Sequence, residues 1–292
     1  MSNYTFKQNR SKFYIKVFEN NDNITISTNE FTMCLIKKYQ RLIEGLSPTG
    51  WKKSDRYNDL YNLWIPIDNV NYTIFNVFLE WAERCNSCIW LKLNRYTKDS
   101  FDENILDFCI CSDWNYNFDG ISGRTEIGEI EYNMKYGGTF SNNDCETIER
   151  YLKKCLSCID NLYGNVLVTT IPATKEKQNK LSWIIAKYVA EELEADFLGT
   201  TLLKDKPQMK NLCVSDKIRE WKNIYKTEGE IELSIDTDLA YNLSESTVII
   251  VDDLYQSGAS MLCYAEYLKS LGVSNILGIA LVKSLKDSDN TL

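Results

Sequence analysis

Between Thr247 and Met261 the sequence TVIIVDDLYQSGASM sets two adjacent carboxylates, Asp252 and Asp253, at the end of an apolar run. A short loop with Ser257, Gly258 and Ser260 follows and leads into a helical pattern. Those residue types in that order specify a chemistry. Unpaired backbone N–H groups and the macrodipole at a helix start attract an anion, glycine lets the chain approach it closely, and serine hydroxyls add donors. The carboxylates cannot themselves bind phosphate, but they can accept hydrogen bonds from vicinal sugar hydroxyls or meet a hydrated magnesium ion. Asp252 and Asp253 together with the loop Tyr255, Gln256, Ser257, Gly258, Ala259 and Ser260 therefore ask for a ribose carrying a 5-phosphate.

The elements around this segment must hold it at the rim of a sheet. Asn165–Ile171 reads as a continuous apolar strand, Asn179–Leu193 as an amphipathic helix and Asp196–Leu203 as a second strand, which is a βαβ unit. After a polar interruption from Lys204 to about Ser246, Thr247–Val251 reads as a strand, Gly258–Leu271 as a helix stopped by Gly272, and Asn275–Val282 as another strand. Near-continuous apolar strands alternating with helices imply a parallel sheet with flanking helices, and ligands bind such sheets beyond the carboxyl ends of the strands. The loops after Ile171 and Val251 are thus where chemistry is expected.

The first part of the chain is an α+β region without a legible role. Phe13–Ile26 reads as a hairpin around Asn-Asn-Asp, Glu30–Glu44 and Asn71–Arg84 as helices, and Cys88–Leu93 and Leu106–Cys111 as strands. In Asn71–Arg84 the apolar stripe is Ile74, Val77, Phe78 and Trp81. The expected division is residues 1–118 and 119–292.

Composition removes several classes. The 292 residues contain no histidine, so Ser-His-Asp and Cys-His catalysis and His-based metal motifs are absent, and proton transfer falls to Asp, Glu, Lys, Tyr or Cys. A net charge of −8 argues against direct nucleic-acid binding, which draws on clustered Lys and Arg. No run of apolar residues is long enough to span a membrane, and Met1–Arg10 lacks the apolar centre of a signal peptide, so a cytoplasmic location with reduced thiols is expected. The oligomeric state is left open.

The segment VIIVDDLYQSGAS resembles the phosphoribosyl pyrophosphate motif of type I phosphoribosyltransferases. Hydroxyls persist at Ser257 and Ser260, while Gln256 departs from the usual threonine-rich loop. Three further regions narrow the resemblance to the ComF-like branch. GRTEIGEIEYNMKYGGT, Gly123–Thr139, is similar to a helix ending in Lys-aromatic-x-Gly at Lys135, Tyr136 and Gly138. VLVTTIPATKEKQNK, Val166–Lys180, is similar to the pyrophosphate-loop region at Pro172 and Asn179. KDKPQMKNLCVSDKIREWKN, Lys204–Asn223, is similar to the hood at Pro207, Gln208, Leu212, Ser215, Arg219 and Asn223. The resemblance implies a type I phosphoribosyltransferase-like parallel sheet, a glycosyltransferase class of chemistry, phosphoribosyl pyrophosphate or a nucleotide as ligand, and Mg2+ as cofactor. It implies further that Asp252 and Asp253 hold the ribose, and that Pro172, Ala173, Thr174, Lys175, Lys204, Lys206 and Arg219 serve the pyrophosphate and hood. A non-catalytic sensor or partner protein beside DNA machinery is the alternative it leaves.

Competing readings are weaker. A Walker B strand needs an upstream phosphate loop, and the nearest candidate, Gly45–Trp51, has Trp51 where lysine belongs. Lysines on loops are commonly solvated, and Asp216 and Glu220 offer Arg219 ordinary ion pairs. Cys85, Cys88, Cys109 and Cys111 form the one four-thiolate set that could chelate zinc, and ComF-like proteins often carry an N-terminal zinc module, but Cys-x-Cys inside a strand-like run is not a zinc knuckle and argues against zinc there. Cys155 and Cys158 read as packing residues on a helix.

Overall fold

Alternation builds the first sheet. Phe6 of β1 (Ser2–Lys7), Ile15 and Val17 of β2 (Tyr14–Glu19) and Ile24 and Ile26 of β3 (Asn23–Asn29) are buried, and Val17 pairs with Ile26 while both are fully buried. The chain then forms α1 (Glu30–Tyr39), α2 (Arg41–Glu44), β4 (Trp51–Lys53), β5 (Leu60–Pro66), α3 (Tyr72–Asn86) and β6 (Ile89–Leu91). The strand order is β1-β2-β3-β5-β4, antiparallel throughout, with Leu63 and Ile65 of β5 completing the buried face.

The computed structural model describes residues 2–94, 96–119, 121–137, 141–159, 162, 164–174, 181–204, 209, 212–227, 231–235 and 243–285. It divides into two compact units, Met1–Trp90 with Lys154–Asn161, and Leu91–Lys153 with Leu162–Leu292. Two helical expectations for the first unit shift in detail. The helix expected over Glu30–Glu44 breaks at Gln40, whose φ of −131° and ψ of 46° are not helical, giving α1 and α2. In α3 the buried stripe is Phe75, Phe78, Trp81, Ala82 and Cys85, with Val77 exposed, so the inward face is rotated relative to the expected one. Asn71 caps that helix by accepting from the N–H groups of Thr73 and Ile74.

The second unit contains β7 (Phe108–Trp114), α4 (Glu126–Tyr136), α5 (Asn142–Leu156, whose last residues join the first unit), β8 (Asn165–Thr170) and β9 (Ala173–Thr174). It continues with α6 (Leu181–Glu192), β10 (Asp196–Leu202), α7 (Val214–Lys226), β11 (Ile231–Ile235), β12 (Ser246–Tyr255), α8 (Ala259–Ser270) and β13 (Asn275–Lys283). Across its sheet the order is β11-β10-β8-β12-β13-β7. Neighbours from β10 to β7 run parallel, and β11 lies antiparallel on β10. Ile249, Ile250 and Val251 of the central strand are fully buried, as expected for a strand covered on both faces.

The compact units do not divide at 118/119. Strand β7 precedes that point yet pairs with β13 from Phe108↔Leu277 to Trp114↔Lys283, which places it in the second sheet. The polar interruption after Lys204 also holds α7, whose buried residues Ile218 and Trp221 are too sparse in a polar surround to stand out from the sequence. Among the described residues no helix is long and apolar enough to cross a membrane.

Strand order fixes where a ligand can enter. From β8 the chain crosses through α6 outward to β10, and from β12 through α8 outward to β13 in the opposite direction. Right-handed crossovers leaving in opposite directions open a crevice between β8 and β12 at their carboxyl ends.

Candidate functional site

Register leaves one side of β12 uncovered. The last pair between β8 and β12 is Thr170↔Val251, whereas β12 continues along β13 through Asp252↔Ala280 to Tyr255↔Lys283. Asp252 and Asp253 therefore stand just past the point where β8 turns away at Ile171 and Pro172. Two adjoining clefts occupy this place. The smaller, about 290 Å³, is lined by Asp252, Tyr136, Met209, Lys217 and the run Leu254–Met261. The larger, about 590 Å³, is lined by Asp252, Asp253, Lys135, Tyr136, Trp221, Ser260 and the start of the β8 loop at Ile171–Ala173, with Leu181, Ser182 and Ile184 of α6.

A charge cluster forms the floor. Lys135 Nζ lies 2.8 Å from Asp253 Oδ1 and 2.6 Å from Glu131 Oε1, one turn earlier on α4. Helix α4 is anchored by Thr125, whose hydroxyl accepts from the Gly128 N–H at 3.1 Å. Burial opposes the charge on Lys135, but Asp253 and Glu131 outweigh it and hold the ammonium above its ordinary value. Burial pushes the Glu131 carboxyl up, partly offset by Lys135. Asp252 accepts the backbone N–H of Asp253 at 3.0 Å, and burial, with the neighbouring Asp253 charge second, pushes its carboxyl up to about 8. Burial thus holds Asp252 toward its protonated form near neutrality until a cation or ligand changes the balance.

The loop beyond the carboxylates is built around Gly258. Its φ of 80° is left-handed, and a Cβ there would run into the Tyr255 hydroxyl, so glycine is required on both counts. The Ser257 hydroxyl accepts the Ala259 N–H at 3.3 Å, and the Ser260 hydroxyl accepts the Trp221 indole N–H at 2.9 Å. Each hydroxyl keeps its own proton to donate. Below the loop, the buried Lys283 donates to the Gln256 carbonyl at 2.6 Å, and Asn94 donates to the Ser257 carbonyl at 3.2 Å. Lys217 Nζ approaches Gln256 Oε1 at 3.4 Å from α7. Helix α8, twelve residues long, opens with its N-terminus onto this loop, so partial positive charge, two hydroxyls and one lysine converge on the smaller cleft.

Most residues singled out from sequence are brought together here: Asp252, Asp253, the loop Tyr255–Ser260, Pro172 and Ala173 all line the clefts. Thr174 follows in β9, opposite Leu202. Arg219 is not among the lining residues; its guanidinium is paired with Asp216 at 2.9 Å and Glu220 at 3.7 Å on an exposed part of α7. Lys204 is exposed and does not line either cleft. Lys175, Lys206, Gly138, Asn179, Pro207 and Gln208 lie outside the described residues. Sequence reading missed Glu131, Lys217, Lys283 and Asn94. Only Glu131 carried a signal, its i,i+4 spacing from Lys135.

The four-thiolate set considered from sequence is not assembled among the described residues. Cys109 and Cys111 are fully buried in β7, and the Cys109 side chain packs beside Met261 in the space left by Gly278. Cys88 instead has Cys155 and Cys158 as sulfur neighbours. Cys-x-Cys in a strand puts both thiols on one sheet face, where they serve as small core residues.

No known family profile and no curated protein matches the sequence. Among solved structures, a hypoxanthine phosphoribosyltransferase from Staphylococcus aureus aligns at 15% identity over 51% of this chain and 68% of its own, with a TM-score of 0.30. An adenine phosphoribosyltransferase from Thermoanaerobacter pseudethanolicus aligns at 18% identity over 49% and 82%, TM-score 0.30. The Saccharomyces cerevisiae adenine enzyme aligns at 17% over 50% and 72%, TM-score 0.31. Superpositions this loose carry no argument about function, and the α/β class rests on the strand order and register above.

Proposed function

We propose that the second unit binds phosphoribosyl pyrophosphate with Mg2+ and transfers the phosphoribosyl group to a nucleophilic acceptor. The observation that carries this reading is the convergence, at one switch point, of an acidic pair at the tip of β12 with a Ser-Gly-x-Ser loop opening a helix. In the proposed complex the 5-phosphate sits on the Gln256–Ser260 loop, with Ser257, Ser260 and Lys217 donating. Asp252 and Asp253 accept the ribose hydroxyls, and the pyrophosphate extends into the larger cleft beside Pro172 and Ala173.

Mg2+ suits this donor set, since it is commonly held by one or two carboxylates, retained waters and substrate phosphates, so two carboxylates suffice without a third protein ligand. When bound, it would neutralise charge on the departing pyrophosphate. The chain's residues do the rest. The acceptor's lone pair forms the new bond at C1 of the ribose as the C1–O bond breaks, and pyrophosphate leaves with that electron pair. Positive charge develops on the ring in the transition state, and fixed carboxylates beside the ribose favour it. Trp221 and Ile184 give the larger cleft apolar walls that limit water near C1.

The test is calorimetric titration of phosphoribosyl pyrophosphate with Mg2+ into the full chain and into Asp252→Asn/Asp253→Asn, with pyrophosphate release followed in the presence of nucleobases. Binding abolished by the double change, with release by the unchanged protein, supports the proposal. A folded wild-type protein that binds nothing rejects it.

A further inference from the structure

The first unit contains a feature that the ribose-phosphate reading does not use. The segment CNSC, Cys85–Cys88, straddles the C-terminus of α3, and CLSC, Cys155–Cys158, straddles the C-terminus of α5. Each pair has one cysteine in the last helical turn and the second just beyond it, and each closes by the same turn, with the N–H of the later cysteine donating to the carbonyl of the earlier at 3.1 Å. The two turns face each other. Cys88 Sγ lies 3.9 Å from Cys155 Sγ and 4.0 Å from Cys158 Sγ, and the Cys158 thiol also interacts with that of Cys85. All four side chains are at 0% exposure.

We propose that Cys85, Cys88, Cys155 and Cys158 bind one structural zinc ion. The edge of a tetrahedron with Zn–S bonds of about 2.3 Å is about 3.8 Å, and the separations of Cys88 from Cys155 and Cys158, 3.9 and 4.0 Å, are within a few tenths of an ångström of it. They are far from the S–S bond length of a disulfide, about 2.05 Å. As the side chains stand, the thiols hydrogen-bond one another, and among the described residues no three or more ligands are arranged so that they could hold a metal ion. Binding would therefore require the thiols to rotate onto the ion, starting from Cys88 separations of 3.9 and 4.0 Å.

The surroundings fit a tetrathiolate, which carries net negative charge after binding a divalent ion and needs local compensation. Lys154 acts electrostatically on Cys88, and the Arg84 guanidinium donates to the Ser157 carbonyl at 3.4 Å. Both cations therefore lie beside the cluster. The indole N–H groups of Trp81 and Trp90 donate to the carbonyls of Cys158 and Cys85, at 3.1 and 2.8 Å, and fix the two turns. All four cysteines belong to one compact unit, Met1–Trp90 with Lys154–Asn161.

The test is metal analysis of the full chain purified without added metal, with intact mass and native thiol counting on the same sample. About one zinc per chain in the wild type, lost in Cys88→Ser and Cys158→Ser and retained in Cys109→Ser and Cys111→Ser, supports the proposal. Zinc that persists in Cys88→Ser and Cys158→Ser, or that is lost equally in Cys111→Ser, overturns it, as does a mass showing a disulfide between these cysteines. Should the serine variants fail to fold, cobalt titration of metal-stripped wild type replaces them. A thiolate-to-cobalt charge-transfer band supports the site, and a folded chain without one refutes it. The result is independent of phosphoribosyl pyrophosphate binding.

Discussion

Lys135 is the perturbation that tests the electrostatics of the cleft most directly. It bridges Asp253 at 2.8 Å and Glu131 at 2.6 Å, and the Glu131 side chain is only 4% exposed. Replacing it by methionine keeps the stem and removes the charge. Unit charges about 4 Å apart interact by about 4 kcal/mol at an effective dielectric near 20, much of it offset by the desolvation already incurred. Removing one partner of a buried pair commonly costs about 3–5 kcal/mol, and the partial exposure of Lys135 and Asp253 lowers the expectation to about 2–3 kcal/mol.

The loss should depend on pH. Burial already raises the Glu131 carboxyl in the folded protein, and losing Lys135 raises it further. An acid whose folded pKa is raised binds more protons in the native state than in the unfolded one, so its contribution to stability falls as pH climbs through the window between the two values. The penalty of Lys135→Met is therefore smaller at pH 4, where Glu131 is nearer its protonated form, than at pH 8. Urea denaturation between these pH values measures it, and amide exchange over 246–270 shows that the loss is in the β12–α8 region. Glu131→Gln/Lys135→Met should recover at least half of the loss, because the orphaned charge is gone. A single variant that loses less than about 0.5 kcal/mol at pH 8, or loses equally at both ends of the range, refutes the argument.

Three further outcomes follow from named contacts. Gly258→Ala combines a left-handed φ with a clash on Tyr255 and should cost about 2 kcal/mol or more in denaturation while abolishing phosphate-dependent binding. With the Asp252 carboxyl pushed up to about 8, a ligand that needs it ionised should bind about tenfold tighter for each pH unit gained below that value and level off above it. That slope, taken as the difference between wild type and Asp252→Asn to remove the ligand's own titration, should vanish in the variant; a flat wild-type profile from pH 6 to 9 would contradict the assignment. Tyr264→Phe removes a buried hydroxyl that bonds Thr169 at 3.0 Å and also Thr200. Since the two threonines still meet each other at 3.3 Å, the expected loss is about 1–2 kcal/mol by thermal denaturation, without change in ligand affinity.

Legibility in the sequence followed how locally each feature is encoded. Strand β12 and the Gly258 turn were readable because an apolar run, two acids and a Ser-Gly loop occupy fifteen consecutive residues. The hairpin β2–β3 was readable from alternation around an Asn-Asn-Asp turn. Helix α7 was not, because it buries only Ile218 and Trp221 amid charge. The partners of the loop, Lys283 and Asn94, were invisible for another reason. They reach Gln256 and Ser257 from positions 27 and 163 residues away, and only the folded sheet defines those contacts. The cysteines repeat the lesson. The resemblance to ComF-like proteins prompts joining CNSC to Cys109 and Cys111 despite their Cys-x-Cys spacing, whereas the fold brings CNSC to a second Cys-x-x-Cys about 70 residues on.

To bind a highly phosphorylated sugar as proposed, a chain of net charge −8 must solve its electrostatics locally, and the cleft divides the task in space. At the end proposed for the 5-phosphate the cations and dipoles belong to the protein: Lys217, the start of α8 and two serine hydroxyls. At the ribose end the protein is acidic, and Lys135 is committed to Glu131 and Asp253. A pyrophosphate placed beside Asp252 and Asp253 would face like charge unless a divalent cation arrived with it. The proposed order is therefore metal with ligand, with Asp252 losing its proton as the cation enters, since a nearby positive charge lowers the very carboxyl that burial has raised. Proton release on binding follows from this. It should be detectable near pH 7 as a buffer-dependent calorimetric enthalpy with Mg2+, and it should be absent in Asp252→Asn. A buffer dependence equal in wild type and variant would assign the proton to the ligand's phosphates and remove Asp252 from the step.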